Sequence, residues 1–214
     1  MTTLFFVRHG QSKSNLEQRF SGQHNPDLTE LGHRQAEATA RFLAHQGIEK
    51  IYSSDLARAY QTAEHTANLL GLEIIPTKAL REINAGDWEG KLYSELMVEF
   101  PASYHQWLTD LGRAHPENGE RVLDLNDRVC AEVQRILQKN RGKRVAIFTH
   151  ATPVRMLACG WFDIPAVDAI KVPFCTNASI STVEYEDDGS FRLLQYGYDA
   201  HQGDLVTQFP KGLV

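Results

Sequence analysis

Three observations predict an α/β fold for this chain of 214 residues. Short apolar runs typical of strands alternate with longer stretches of helical periodicity, which is the pattern of a sheet covered by helices. The run Leu4–Val7 is uninterrupted, as expected of a strand that is buried in the sheet. The apolar fraction, 42%, is large enough to build a sizeable core.

The first half of the chain supplies three predicted strands and two predicted helices. Thr29 is the predicted N-cap of the first helix, and Gly47 is its predicted end. Polar residues 53–55 are predicted to cap the second helix. The strands are expected over 3–7, 50–52 and 73–76. The apolar faces of the two helices are Leu31, Ala36, Ala40 and Leu43, and Leu56, Tyr60, Ala63, Ala67 and Leu70.

The second half begins with an irregular segment, residues 83–118, in which we expect short helices rich in aromatic residues. A long helix follows, with one apolar face, then a strand over 144–148 and a helix that starts near Pro153. Residues 179–185 and 191–195 are predicted to form a terminal hairpin. The polar stretch 199–204 is expected to be a solvated tail. We predict a single domain over 1–214, with a lid-like insertion around 83–120.

Composition excludes several classes of function. The formal net charge of −5 argues against nucleic-acid binding, because no broad basic surface is expected. The three cysteines form no CxxC pair, so we expect reduced thiols in a cytoplasmic protein. No apolar stretch is long enough to span a membrane, and the N-terminus does not look like a signal peptide.

Chemically active residues follow the predicted strands at their carboxyl ends. Arg8 and His9 follow the first strand, and His150 follows the strand 144–148. Arg58 lies shortly after the second strand, and Glu82, preceded by an arginine at 81, follows the third. Ligands in open α/β sheets bind beyond these strand ends, so the residues should gather at one edge of the sheet.

This set of residues suits phosphoryl transfer. Arginines can hold a phosphate through paired N–H donors, and one histidine can attack phosphorus. A second histidine, which could be cationic, can donate to the equatorial oxygens, and a carboxylic acid can protonate the leaving alkoxide. Taken alone, Arg58 lies off the apolar stripe of its helix and would be a solvated arginine. Gly10 is expected to let the backbone approach a ligand closely.

The ordered motifs resemble those of the histidine phosphatase superfamily, in the branch of the cofactor-dependent phosphoglycerate mutases and the small broad-specificity phosphatases. The resemblance implies a three-layer sandwich with a mostly parallel sheet and helices on both faces. The motifs are Arg8-His9-Gly10 with Asn15, Ser21-Gly22, Pro26 to Gly32, Ser53 to Arg58, Leu80-Arg81-Glu82, Gly86 to Gly90, Glu117 to Glu120, and Thr149-His150.

The resemblance also implies a role for each matched residue. His9 is the residue that becomes phosphohistidine, and Glu82 is the proton donor. The phosphoryl group is held by Arg8, Arg58 and His150. The substrate pocket is further lined by Asn15, Ser21 and Gly22, and by Ala151, which stands where relatives usually have glycine.

The segment 83–120 favours a phosphatase over a mutase. It carries seven acidic residues and only two cations, Lys91 and Arg113, and it is rich in aromatic residues. Such a segment suits an apolar or aromatic alcohol, although its aromatic residues could equally be core. We therefore predict hydrolysis of a small phosphomonoester without a metal or cofactor. The alternatives are a cofactor-dependent phosphoglycerate mutase, a dedicated α-ribazole phosphatase and a non-catalytic phosphate-binding module. The terminal hairpin offers an edge strand through which a homodimer could form.

Overall fold

Six strands form one sheet within residues 1–207, the part of the chain that the computed structural model describes. The strands are β1 (Thr2–Arg8), β2 (Lys50–Ser54), β3 (Ile74–Thr77), β4 (Arg144–Thr149), β5 (Ile180–Tyr185) and β6 (Phe191–Tyr198). Their order is β3-β2-β4-β1-β5-β6. Residues 208–214, the end of the predicted single domain, lie outside the described part.

The first four strands are parallel to one another, whereas β5 and β6 run antiparallel beside β1. This arrangement confirms the prediction of a mostly parallel α/β sheet. The predicted terminal hairpin is present as β5 and β6, and β6 is the edge strand.

Helices cover both faces of the sheet. They are α1 (Lys13–Leu16), α2 (Glu30–Ala44), α3 (Ala57–Leu70), α4 (Tyr93–Glu99), α5 (Pro101–Thr109), α6 (Val122–Lys139) and α7 (Ala151–Trp161). Successive side chains of β1 point to opposite faces, as strand geometry requires. Phe5 and Val7 belong to one core cluster with residues of α2 and α3, while Leu4 and Phe6 belong to another with residues of α6 and α7. The result is the expected three-layer sandwich.

The two predicted helix starts in the first half have different outcomes. Thr29 is the N-cap of α2, and its side chain accepts a hydrogen bond from Gly32 N, as predicted. The prediction that residues 53–55 cap α3 is wrong, since its N-cap is Leu56 and no side chain caps it. Strand β2 continues through Ser54, which pairs with Thr77 of β3 and is therefore part of the sheet.

The aromatic residues of segment 83–120 divide between core and cleft. Trp88 and Tyr104 are 0% and 1% exposed and belong to the core, whereas Tyr93 and Trp107 line a cleft at the carboxyl edge of the sheet. Glu117 fastens the segment internally by accepting hydrogen bonds from Trp88 Nε1 and from Ser103 Oγ. The interpretation as core therefore holds for Trp88 and Tyr104, while Tyr93 and Trp107 lie where they could contact a ligand.

The stretch after β6 is not the solvated tail that its polarity predicts. Gln202 is buried and donates a hydrogen bond to Asn177 O, and His201 Nε2 lies 3.0 Å from Thr39 Oγ1 of α2. Because the polar side chains of this segment form hydrogen bonds with Asn177 and with Thr39 of α2, they can be buried against the rest of the protein. No helix within 1–207 has the length and apolarity needed to cross a membrane.

Candidate active site

The register of the two central strands brings the two predicted site histidines together. Arg8 of β1 pairs with Thr149 of β4, so His9 and His150 emerge next to each other where the strands end. Their ring centroids lie 5.1 Å apart. This parallel pair explains why two histidines that are 141 positions apart in sequence share one site.

Hydrogen bonds fix the tautomer of His9. Its Nδ1 lies 2.7 Å from Gly10 O, which can only accept, so Nδ1 carries the proton. On the other side of the ring, Arg58 Nε donates to His9 Nε2 over 3.2 Å. Nε2 therefore presents a lone pair. Burial and the charges of Arg58 and Arg8 lower the pKa of His9 well below the usual histidine value, which keeps the ring neutral at pH 7.

Arg58 is buried. The expectation of a solvated arginine, which considered only its position off the apolar stripe of the helix, is wrong. Its side chain is 1% exposed, since α3 begins at the carboxyl edge of the sheet and its first turn faces the cleft. Besides His9, the guanidinium donates to His24 O over 2.9 Å and to Gly22 O over 2.7 Å. Burial lowers the pKa of Arg58 to about 10, so it remains a cation at neutral pH.

Arg8 also lines the cleft and is 3% exposed. Its Nη1 donates to Cys175 O, and its guanidinium carbon lies 4.5 Å from the centroid of the Phe174 ring. Burial lowers the pKa of Arg8 to about 10, while the nearby Glu82 acts in the opposite direction. The two guanidinium groups thus supply two fixed positive charges beside a neutral His9.

His150 is fully buried next to His9 and is absent from the cleft surface. Ser54 Oγ accepts from Leu56 N and lies 2.8 Å from His150 Nε2, to which its hydroxyl can donate or from which it can accept. His150 Nδ1 is buried and has no hydrogen-bond partner among the described residues. Burial, Arg58 and His9 lower the pKa of His150 well below the usual histidine value, which favours the neutral ring in this arrangement.

Glu82 is held in one orientation by two backbone groups. Its Oε1 accepts from Ile83 N over 2.9 Å and its Oε2 accepts from Thr152 N over 3.2 Å, close to the start of α7. The side chain is 9% exposed and lines the cleft. The carboxyl group is thereby fixed at the mouth of the site that contains His9.

The remaining predicted pocket residues also line the cleft, namely Asn15, Ser21, Gly22 and Ala151. Asn15 Oδ1 accepts from Ser12 and from Asn177, which leaves its NH2 group to donate into the cleft. Gly22 has φ +50°, and a Cβ there would lie 2.7 Å from Ala85 Cβ, so only glycine fits. Eight of the nine predicted site residues line this cleft, and His150 lies behind it.

Two residues play other roles than those predicted. Arg81, which follows the third strand, forms a bidentate ion pair with Asp55 at 2.6 and 2.7 Å and does not line the cleft. Gly10 has a packing role in the structure. A Cβ at this position would lie 2.5 Å from Gly32 O, so Gly10 permits close packing of the chain after β1 against α2.

Two positioning residues, Arg128 and Asn177, and one arginine of the cleft wall, Arg155, escaped the sequence analysis. Arg128 of α6 donates to Ala79 O, Arg81 O and Glu82 O and pairs with Glu120 at 2.6 Å, which fastens the segment that carries Glu82. Asn177 donates from Nδ2 to His9 O over 3.1 Å and to Asn15 Oδ1 over 3.2 Å. Arg155, one turn into α7, lines the cleft together with aromatic residues. Nothing in the local sequence separates these residues from ordinary helix and turn positions.

Comparison with known proteins agrees with this geometry. The family model of the histidine phosphatase superfamily (branch 1) matches residues 4–198. Phosphoserine phosphatase 1 of Hydrogenobacter thermophilus is 30% identical over 215 residues, with complete coverage of both chains.

Two solved structures have the same fold. YhfR of Bacillus stearothermophilus superposes with a TM-score of 0.90 at 31% identity, covering 94% of this chain and 100% of that one. A mycobacterial glucosyl-3-phosphoglycerate phosphatase, in a structure with VO3, gives a TM-score of 0.84 at 27% identity, with 91% and 98% coverage. The match to the family model over nearly the whole chain, together with a full-length relative, shows that this protein belongs to the histidine phosphatase superfamily.

Proposed function

We propose that the protein hydrolyses phosphomonoesters through a phosphohistidine formed on His9, with Glu82 as the proton donor. The observation that carries this proposal is the double constraint on His9. Gly10 O holds the proton on Nδ1, and Arg58 faces the lone pair on Nε2 from inside a cationic cleft. A neutral imidazole with a directed lone pair beside two guanidinium groups is suited to attack a phosphoryl group.

In the first half-reaction, His9 Nε2 attacks phosphorus and the bond from phosphorus to the ester oxygen breaks. Arg8 and Arg58 neutralise the equatorial oxygens, and Asn15 donates through its NH2 group. With its proton on Nδ1, a buried atom without a described partner, His150 supplies a further hydrogen bond. Protonated Glu82 gives its proton to the leaving alkoxide, so a neutral alcohol departs.

In the second half-reaction, the Glu82 carboxylate removes a proton from water, and the oxygen of that water attacks the phosphohistidine. The bond between Nε2 and phosphorus breaks, and phosphate leaves. Both steps use the same carboxylate, first as acid and then as base. Among residues 1–207 no group of three or more His, Cys, Asp or Glu could hold a metal ion, and the proposed steps assign every role to side chains.

Hydrolysis is favoured over mutase activity by the residues of the cleft wall. The segment 83–120 contributes Tyr93, Trp107 and Leu111 to the wall, and neither of its two cations, Lys91 and Arg113, lines it. Phosphatases among the relatives support the same choice. The names of these two relatives specify phosphoserine and glucosyl-3-phosphoglycerate, and the substrate of this chain is a small phosphomonoester of the same general kind.

The test is phosphate release from p-nitrophenyl phosphate in EDTA, with the His9→Ala variant beside the wild type. We expect wild-type turnover in EDTA and none in the variant. Sustained interconversion of phosphoglycerates primed by 2,3-bisphosphoglycerate, without net hydrolysis, would identify a mutase instead. Activity that EDTA abolishes contradicts the metal-free mechanism. Phosphate binding without turnover of any ester, α-ribazole phosphate included, would indicate a non-catalytic module.

A further inference from the structure

Thr62 lies on α3, one turn after Arg58, and the phosphoryl-transfer steps do not use it. Its side chain is 0% exposed, and its hydroxyl group has two partners. The hydroxyl accepts a hydrogen bond from Gly10 N over 3.0 Å and donates one to Arg58 O over 2.7 Å. A hydroxyl has a single proton, so the bond to the carbonyl uses that proton and the oxygen accepts from Gly10. Thr62 therefore joins the chain after β1 to the first turn of α3.

The hydrogen bond from Gly10 fixes one of two consecutive peptide groups beside the His9 ring. In the first peptide group, His9 O accepts from Asn177 Nδ2 over 3.1 Å. The amide of the same group is Gly10 N, which donates to Thr62. In the second peptide group, Gly10 O accepts from His9 Nδ1, and the amide donates to Gln35 Oε1 over 2.8 Å. Side chains from three distant segments thus hold the two peptide groups that flank Gly10.

Gly10 needs this external support because it has no Cβ, so its own backbone restricts its torsions only weakly. The position of Gly10 O, and with it the orientation of the His9 ring, therefore depends on the hydrogen bonds of the two peptide groups. Without Thr62 Oγ1, the buried Gly10 amide would lack an acceptor, and an unpaired buried donor is costly. Rotation of the peptide group would then be favoured, and Gly10 O would move away from His9 Nδ1.

We infer that Thr62 is a positioning residue for the proposed nucleophile: its hydroxyl holds the backbone of Gly10 so that His9 keeps its proton on Nδ1 and its lone pair on Nε2. This inference rests on the phosphatase function proposed above. Thr62 is not among the residues that line the cleft, so it acts through the backbone and not on the substrate. The proposed attack on phosphorus needs the lone pair on Nε2. Loss of the hydroxyl should therefore slow the phosphorylation of His9.

The phosphoryl clamp should depend much less on Thr62. The guanidinium of Arg58 is held separately, through its hydrogen bonds to Gly22 O and His24 O. Thr62 bonds only to the backbone carbonyl of Arg58. A carbonyl in the first turn of an α-helix also accepts from the amide four residues later, so it keeps a donor when the hydroxyl is removed. The effect of Thr62 should thus appear in the attack by His9 and not in the binding of phosphate.

The experiment compares two buried threonines of α3. Thr62→Val replaces the hydroxyl by a methyl group of similar size. Thr66→Val makes the same change one turn later, at a threonine that is also 0% exposed and whose Oγ1 has no hydrogen-bond partner among the described residues. For p-nitrophenyl phosphate, kcat/KM reports the phosphorylation of His9. We expect it to fall about 10- to 100-fold in Thr62→Val, the range for a misplaced catalytic group, and to stay at the wild-type value in Thr66→Val. Thr62→Ser retains the hydroxyl and should recover most of the activity.

Two further measurements separate positioning from a general structural role. Nitrogen NMR of the imidazole ring distinguishes a protonated from an unprotonated ring nitrogen. In the wild type and in Thr66→Val, we expect His9 to be protonated on Nδ1 alone, and in Thr62→Val we expect a mixture of the two tautomers. The inhibition constant of inorganic phosphate should change less than about 3-fold in Thr62→Val, because the ground-state contacts of the phosphate remain.

The outcomes distinguish this inference from the proposed function. Wild-type kcat/KM in Thr62→Val would overturn the role of Thr62, and so would an equal loss of activity and phosphate binding with an unchanged His9 tautomer. If Thr62→Val does not fold, Thr62→Ala removes the same hydroxyl and is measured in its place. The wild-type spectrum tests the inference without any variant, since a proton on Nε2 of His9 contradicts it. No hydrolysis of p-nitrophenyl phosphate by the wild type would instead contradict the phosphatase proposal.

Discussion

Arg58 Nε lies 3.2 Å from His9 Nε2 and donates a hydrogen bond to the lone pair that the proposed mechanism uses. The same guanidinium donates to two carbonyls of the loop 22–24. Arg58 therefore connects His9, the proposed nucleophile at the end of β1, with the loop that lines the cleft.

Replacement of Arg58 should abolish most of the activity. Arg58→Met should lower kcat/KM by about 1,000-fold, because a fixed donor to the equatorial oxygens is lost from a site where such donors act strongly. Arg58→Lys retains the charge, but its ammonium cannot reproduce the planar fork, and we expect about a 100-fold loss. Steady-state hydrolysis of p-nitrophenyl phosphate measures both. Wild-type kinetics in Arg58→Lys would mean that charge alone suffices and that the fork geometry is irrelevant.

Loss of Glu82 should depend on the leaving group. An alkyl alcohol needs a proton from Glu82 to depart, whereas p-nitrophenolate leaves without one. In Glu82→Gln we expect alkyl phosphates to lose about 100- to 10,000-fold in kcat. With p-nitrophenyl phosphate, His9 should be phosphorylated quickly and hydrolysed slowly, because the base of the second half-reaction is missing.

Rapid-mixing kinetics test this prediction. We expect Glu82→Gln to release a burst of about one equivalent of p-nitrophenol per enzyme, followed by slow turnover. Phosphohistidine is acid-labile, so a neutral-pH trap and mass spectrometry would detect it on His9. The control is Glu89→Gln, a carboxylate whose Oε1 accepts from Gln23 N and Ala85 N in the same loop region and which the chemistry does not use. The same loss for alkyl and nitrophenyl esters in Glu82→Gln, without a burst, would assign Glu82 a structural role.

Asn177 should act on catalysis through the residues that it positions. It is 0% exposed, and one NH2 group bridges the backbone of His9 and the side chain of Asn15. In Asn177→Leu we expect kcat to fall about 10- to 100-fold and the free energy of unfolding to fall by about 1–3 kcal/mol.

The control is Asn140→Leu, at a buried asparagine that donates to Tyr52 Oη and Ile136 O, far from the residues of the cleft. It should lose similar stability and retain wild-type kcat. Urea unfolding and kcat are measured for both variants. If the two variants lose stability equally and neither loses kcat, Asn177 is only a structural residue.

The architecture was largely predictable because it follows from local patterns. The alternation of apolar runs and amphipathic helices predicts the α/β class, and Thr29 is recognisable as an N-cap from its position before the apolar period of α2. The set of residues at the strand ends was predictable from the rule that parallel sheets bind ligands there. Arg58 shows the limit of local patterns, since its burial depends on where the first turn of α3 meets the cleft.

Contacts between distant segments were not predictable from the sequence. Asn177 reaches His9 across 168 positions, and Arg128 reaches the carbonyl of Glu82 across 46. Asn177 lies in the loop between α7 and β5, and Arg128 lies on α6. Their roles arise because these two elements pack against the edge of the sheet, and the local sequence around either residue does not indicate that packing. Arg155 was missed for the same reason, and with it the third positive charge of the cleft.

The two site histidines should make the stability of the protein depend on pH. Burial and neighbouring guanidinium groups lower the pKa of His9 and of His150 well below the usual value. As the pH falls below about 6.5, the unfolded chain takes up protons at these two positions, while the folded protein does not. The contribution of the two histidines to the free energy of unfolding is therefore complete above that pH. Below it, the free energy of unfolding decreases by up to about 1.4 kcal/mol per pH unit for each histidine.

Urea unfolding at pH 7.5 and at pH 5.5 measures this dependence. His65 and His201 contribute in the same direction, since burial lowers the pKa of both, that of His201 to about 4. His9→Asn should therefore weaken the pH dependence of the free energy of unfolding without removing it. His105→Asn, at an exposed histidine of α5, should keep the wild-type dependence. If His9→Asn shows the same decrease in stability between the two pH values as the wild type, His9 is not held neutral by its burial. The reactive form of the nucleophile would then require another explanation.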